Sequence, residues 1–249
     1  MQRILAFIFL VFPLLLVGQA PPRTLFVYGG QVNQQFIRYT AQLTGKARPK
    51  ICFLPTATGD RDGYIAFFYE LCSGLSVDPY VLRAFTSSSR QNESWEATLT
   101  RMDAIIVGGG NTLNMLAIWR AQGIDLALRK AYAQGVVLAG GSAGSLCWFT
   151  GGTTDSRPIE LTIVEGLGYL PYSHCPHYHS EASRKPLYHE NIRTGKLTAG
   201  YACDDNAGLV FKNEILQNGV ATDTSSHAYF VQLQKGEIVE ERIEAELIE

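Results

Sequence analysis

Two glycine-rich runs have the composition that chemistry at a strand end requires: Gly108-Gly109-Gly110-Asn111-Thr112 and Gly140-Gly141-Ser142-Ala143-Gly144. The second fits G-x-S-x-G between a strand-like apolar run and a helix-like one, the setting of a nucleophile elbow. Glycines at 140 and 144 leave room for a sharp turn that pushes Ser142 Oγ out of the sheet. The backbone N–H of Ala143, at the start of the next helix, can then donate to a developing oxyanion. A plain glycine turn, or a phosphate-binding loop using the same N–H groups, has the same composition.

A serine nucleophile needs a base, and the chain has five His: His174, His177, His179, His189 and His227. Three cluster in Ser173-His-Cys-Pro-His-Tyr-His179. His177 and His179 would share one face of a strand, but no acidic partner has zinc-site spacing, so neither a metal nor a cofactor is expected. The third member of a triad is a carboxylate that orients the imidazole. Asp204-Asp205 offers one between strand-like 198–202 and the apolar run 207–211, although paired Asp in a loop is more often a solvated turn.

The elements that must position these groups are legible along the chain. Thr24–Tyr28 reads as a buried strand ending in Gly29-Gly30, and 34–43 as a helix. Further strands are predicted at 50–55, 80–85, 103–107 and 135–139. Helices are predicted at 62–75 and 93–102, with two more over 112–134 broken at Gly123 and another opening over 143–149. Apolar strands between helices imply a parallel sheet covered on both faces. Ligands in such sheets bind beyond the carboxyl ends of the strands. From Leu197 onward the pattern changes to short strands, with Asn218-Gly219 and Lys235-Gly236 as hairpin punctuation. One α/β domain over 21–249 is the economical reading.

Composition narrows the function classes. Lys and Arg number 21 against 23 Asp and Glu, a net charge of −2. Without a basic surplus to neutralise phosphates, no nucleic-acid partner is expected. Five Cys without a CxxC fit neither a disulfide scaffold nor a zinc site. The first twenty residues carry Arg3, an apolar run from Ile4 to Val17, then Gly18 and Ala20 at the spacing a signal peptidase reads. A signal peptide over 1–20, cleaved near Ala20, would place the mature chain in an exported compartment, periplasmic or secreted. The apolar run is shorter than the roughly 20 residues of a membrane-spanning helix, and no later segment looks transmembrane.

Val107-Gly-Gly-Gly-Asn-Thr112, then Gly-Gly-Ser142-Ala-Gly, then Pro176-His177-Tyr178 together resemble the peptidase E (aspartyl dipeptidase) family of serine peptidases. Cyanophycinases belong to the same superfamily. The resemblance runs from about Leu25 to Phe211 and is most specific between Asp103 and Arg184. It implies a class I glutamine-amidotransferase-like, flavodoxin-like three-layer sandwich: a mostly parallel sheet with helices on both faces, and C-terminal β-hairpins. It implies Ser142 as nucleophile and His177 as base. The oxyanion donors would be the amides of Ala143 and Gly110, with Gly109 the near alternative.

The family's acid is a Glu in a short later loop, where this chain has Asp204 and Asp205; the third position stays open between them, with Asp155 a further alternative. The family's Asp near the site falls on Ser156 in Thr153-Thr-Asp-Ser-Arg-Pro-Ile159, and Asp155 would substitute after a one-residue shift. By the same likeness, substrates are dipeptides with N-terminal Asp, whose carboxylate Arg184 would hold with its planar fork. Asn111 and Thr112 would position the substrate backbone or amino group.

The expected function is a serine exopeptidase or dipeptidase acting on short acidic peptides. A cyanophycinase-like hydrolase of β-Asp-Arg polymer, which needs an open groove, and a non-catalytic binding relative are the alternatives. An amidotransferase-like enzyme is disfavoured because the elbow carries Ser142 where that chemistry uses Cys. Beyond a small peptide substrate no partner is implied, and a homodimer is left open.

Overall fold

A computed structural model describes residues 21–85 and 92–249; the expected signal peptide of residues 1–20 lies outside the described residues. Five strands, β1 (Thr24–Tyr28), β2 (Lys50–Leu54), β3 (Asp78–Val81), β4 (Ala104–Val107) and β5 (Val137–Gly141), pair in parallel in the order β1-β5-β4-β2-β3. Helices α1 (Gln34–Leu43), α2 (Asp62–Cys72), α3 (Trp95–Thr100), α4 (Thr112–Gln122) and α5 (Ile124–Ala133) lie between them in sequence.

Successive strand side chains point to opposite faces, and both faces here are apolar. Leu25, Val27, Leu54, Ile105, Val107 and Leu138 enter one core with Met115, Trp119 and Leu128 of α4 and α5. Phe26, Tyr28, Phe53, Ile106 and Ala139 enter the other with Phe36, Ile37 and Phe68 of α1 and α2. Helix starts follow the capping residues: Asn33, Ser94 and Asn111 accept hydrogen bonds from the N–H groups of Phe36, Ala97 and Asn114. Gly123, at φ +71°, ends α4 and admits α5, the break read from the sequence.

After β5 the chain makes a single turn of helix, α6 (Ala143–Leu146), where a longer one was expected. It then enters a second sheet, whose strands before Leu197 were not expected from the sequence. β6 (Phe149–Thr154), β7 (Thr162–Glu165), β8 (Leu170–Cys175) and β9 (Gly200–Cys203) build it, and helix α7 (Arg184–Arg193) lies between β8 and β9 in sequence. Next, β10 (Ala207–Lys212) and β11 (Ile215–Ala221) join the first sheet, β10 antiparallel to β1. β12 (Ala228–Gln234) and β13 (Glu237–Ile243) join the second, and β14 (Ala245–Leu247) pairs with β11. The second sheet sends Phe149, Leu170, Tyr201 and Ala228 into the β1/β5 core. Tyr188 and Ile192 of α7 pack with Cys175, Tyr178 and Val231. All five Cys are buried free thiols.

The expected hairpins need one correction. Asn218-Gly219 lies inside β11, and the β10–β11 turn is at Asn213-Glu214, whose φ values of +49° and +64° suit a two-residue primed turn. The Gly219 backbone is wanted for another reason: a Cβ there would stand 2.8 Å from Glu244 O, beside β14. Lys235-Gly236 does form the β12–β13 turn, with φ +50° and +88°.

Strand order has a direct consequence for the chemistry. β1, β5 and β4 are neighbours, so their carboxyl ends bring Gly29-Gly30, the Ser142 elbow and Gly108-Gly109-Gly110 to one edge. A Cβ on Gly144 would lie 2.1 Å from Val107 O, a backbone atom that cannot step aside. Gly45 has φ +68° but faces open space, so alanine there meets only the left-handed cost of about 1–2 kcal/mol. Thermal denaturation of Gly144→Ala should show a loss several times that of Gly45→Ala; equal losses would contradict the packing of the elbow against β4.

Candidate active site

Ser142 follows β5 with φ +54° and ψ −119°, a conformation that costs a non-glycine residue about 1–3 kcal/mol. Its surroundings over-determine it. The Ser142 N–H donates to Tyr28 O at 3.3 Å, and Ser142 O accepts from the N–H groups of Ser145 and Leu146 at 3.1 and 3.0 Å. A Cβ on Gly140 would come within 2.3 Å of Gly144 O, and one on Gly141 within 2.1 Å of Gly30 O. The glycines around the serine are therefore steric requirements.

His177 lies in the loop after β8, also at positive φ (+56°). Its Nε2 is 2.8 Å from Ser142 Oγ and its Nδ1 2.7 Å from Asp205 Oδ1. An ionised carboxylate can only accept, so Nδ1 carries the proton and Nε2 is left to accept from the serine hydroxyl. Asp205, between β9 and β10, also accepts from Ser180 Oγ at 2.8 Å. The His177 hydrogen bond, helped by Ser180 and the charges of His177 and Arg184, holds Asp205 below the usual carboxylate range against the opposing effect of burial.

Asp204 turns elsewhere: Oδ1 accepts from His179 Nδ1 at 2.8 Å and Oδ2 from the His227 N–H at 2.9 Å. Of the two adjacent acids, Asp205 meets His177. The three clustered histidines therefore go to three separate partners, because β8 ends at Cys175 and the later two lie in its loop. Sequence reasoning passed over Gly29 and Gly30. The Gly30 N–H donates to Asp205 O at 3.0 Å, and a Cβ on Gly29 would stand 2.3 Å from Cys203 O. Their signal was a double glycine at a strand's carboxyl end.

On the facing loop, a Cβ at Gly110 (φ +134°) would meet Ala57 O at 2.4 Å, and the Asn111 N–H donates to that same oxygen. Gly109 faces Ser142: a Cβ on it would lie 3.0 Å from the serine Cβ. Among the described residues the N–H groups of Gly110 and Ala143 donate to no acceptor. The Gly109 N–H is beside the Tyr64 hydroxyl, where it partly offsets the rise that burial imposes on that group's pKa. Ser142 and His177 open into a cavity of about 400 Å³, lined further by Gln31, Thr58, Arg61 and Tyr64.

The family description Peptidase family S51 matches residues 25–218. The chain belongs to peptidase family S51. The S51 chain is 42% identical over 208 residues to the uncharacterized peptidase YgaJ of Bacillus subtilis, covering 84% of this chain and 89% of that one. Peptidase E of Streptomyces coelicolor is 31% identical over 134 residues, about half of either chain. Among solved structures, a peptidase from an acI-B1 Actinobacterium superposes with a TM-score of 0.70 at 16% identity, covering 93% of this chain and 98% of that one. A putative peptidase E protein from Listeria monocytogenes gives 0.61 at 18%, covering 81% and 100%. These two share the α/β fold, and the family makes the chain a serine-type peptidase.

Three residues expected to touch substrate have internal partners in this S51 peptidase. Asn111 caps α4 with Oδ1 and donates from Nδ2 to Ser156 O at 2.9 Å, while Thr112 is buried with its hydroxyl 3.4 Å from that of Thr154. Arg184 is 2% exposed at the start of α7. Its Nε donates to Glu181 Oε2 at 2.6 Å and its Nη1 to Thr153 O at 3.0 Å, and Nη2 lies 3.6 Å from Asp155 Oδ1. None of the three lines the Ser142 cavity.

His174 supports the S51 elbow from below. Fully buried, it stacks on Phe149, donates from Nδ1 to Tyr201 O at 3.0 Å, and accepts at Nε2 from Ser145 Oγ at 2.9 Å. Burial pushes its pKa down to about 3, reinforced by the charges of His177 and Arg184 and opposed by the Tyr201 hydrogen bond. The unfolded chain therefore takes up a proton near pH 6.5 that the folded chain refuses until near pH 3. Above pH 6.5 the group contributes nothing; below it, stability falls, by roughly 3 kcal/mol at pH 4.5. Replacing His174 by Gln should flatten the melting temperature against pH between 6.5 and 4.5, whatever it does at pH 7.5. An unchanged slope would contradict the buried neutral imidazole.

Proposed function

We propose that this peptidase is a serine exopeptidase of short peptides with N-terminal Asp, working through Ser142, His177 and Asp205 by way of an acyl-enzyme. His177 Nε2 takes the Ser142 proton as Oγ attacks the scissile carbonyl. The resulting oxyanion is received by the N–H groups of Gly110 and Ala143, which donate to no acceptor among the described residues. His177 then gives its proton to the leaving amine, and water repeats the sequence in reverse on the ester. Asp205 holds the imidazole tautomer and stabilises the imidazolium.

The observation that carries this reading is the unbroken hydrogen-bond chain from Ser142 Oγ through both nitrogens of His177 to an acid whose pKa is held low. A cavity of about 400 Å³ suits a dipeptide or tripeptide. Preference for Asp rests on the likeness to peptidase E. An export signal over residues 1–20 would direct the activity to peptides outside the cytoplasm.

Kinetics on Asp-Leu followed by liquid chromatography test the assignment. Ser142→Ala should lose at least 10³-fold in kcat. Asp205→Asn should lose about 10²- to 10⁴-fold, and Asp204→Asn less than about 3-fold, since Asp204 serves His179. Comparable losses at 204 and 205 would contradict the assignment of the acid. Wild-type kcat/KM on Asp-Leu should exceed that on Ala-Leu at least tenfold; the reverse order would remove the acidic preference while leaving the catalytic group intact.

A further inference from the structure

Resting on the reading of Ser142 as the site of peptide attack, we propose that Arg61 is the carboxylate-binding residue of the catalytic cavity. A peptide carboxylate brought next to the nucleophile loses water and needs a cation within reach. Arg184, at the place the family resemblance indicates, is already engaged by Glu181, Asp155 and Thr153 O and lies off the cavity. Arg61 lines the cavity with Ser142 and His177, is exposed, and makes no ion pair or side-chain hydrogen bond among the described residues.

The neighbouring acids do not neutralise Arg61. Asp62 pairs with Arg83 at 2.7 Å. Asp60 is buried and turned to the Phe85 N–H at 2.6 Å, and its own burial favours the uncharged form. The Arg61 backbone is fixed by its place as the cap of α2, where its carbonyl accepts from the N–H groups of Tyr64 and Ile65 at 3.0 and 3.1 Å. Tyr64 and Thr58 flank the same wall and add hydroxyl groups. A guanidinium on a fixed backbone, lining the same cavity as the nucleophile, fits a carboxylate with two parallel N–H donors. In a short acidic peptide that carboxylate is either the N-terminal Asp side chain or the free C-terminus.

Binding in a catalytically silent background separates this assignment from the peptidase reading. The Ser142→Ala protein would be titrated calorimetrically with Asp-Leu, Asp-Leu amide, Ala-Leu and Ala-Leu amide, then re-examined with Arg61→Ala or Arg61→Lys added. Arg61→Ala should weaken Asp-Leu and whichever of Asp-Leu amide or Ala-Leu carries the bound carboxylate about 10- to 100-fold and leave Ala-Leu amide unaffected, and Arg61→Lys should restore part of the loss. Loss of the acid-over-amide difference identifies the C-terminus as the bound group; loss of the Asp-over-Ala difference identifies the side chain. Equal effects on all four ligands, no effect, or no binding by any of them would overturn the assignment. Because no turnover is measured, an inactive wild-type enzyme would count against the peptidase reading alone.

Discussion

The arrangement depends on the close approach of three backbones around Ser142. The serine sits at positive φ because Gly140, Gly141 and Gly144 let the elbow press against the ends of β4 and β1, with would-be Cβ positions 2.1–2.3 Å from backbone oxygens. Such strain persists only where the surroundings over-determine it. The three hydrogen bonds of the Ser142 N–H and C=O, with Tyr28, Ser145 and Leu146, are that determination. The same steric economy extends outward: Gly29 and Gly30 admit the Asp205 loop, and Gly110 admits Ala57. Nucleophile, acid loop and facing amides therefore take their positions from one packed edge.

Charge is distributed on this frame so that His177 meets an anion on one side only. Asp205 stays ionised because His177, Ser180 and the Arg184 charge favour its anion. Arg184 reaches that role from a buried position, its own charge met by Glu181 and Asp155. His174, within β8, is held neutral by burial and acts through Ser145 on the elbow. A buried neutral imidazole and a partly buried one facing the cavity thus lie three residues apart with different duties.

The first sheet was legible because its strands are short apolar runs between amphipathic helices with clear caps. The elbow was legible because its glycines have a steric cause that fixes their spacing. The second sheet was legible only from Leu197 onward. β6, β7 and β8 read FTGGTT, TIVE and LPYSHC, and their buried polar groups are satisfied by specific partners, such as Ser173 with Thr198 O and His174 with Ser145. Adjacent acids cannot be told apart by type; only the turn that sends Asp204 toward His179 and Asp205 toward His177 separates them. Arg61 carried no motif, since its position on the cavity comes from the folding of the β2–α2 loop beside Gly110.

The proposed catalysis stands on Ser142 as the activated nucleophile. Treatment with a fluorophosphonate, followed by intact-mass analysis and peptide mapping, reads that activation out. The expected result is one adduct per chain, on Ser142, with labelling at least 100-fold slower in His177→Ala. Absence of labelling, an adduct on another serine such as Ser145, or a rate indifferent to His177 would contradict it.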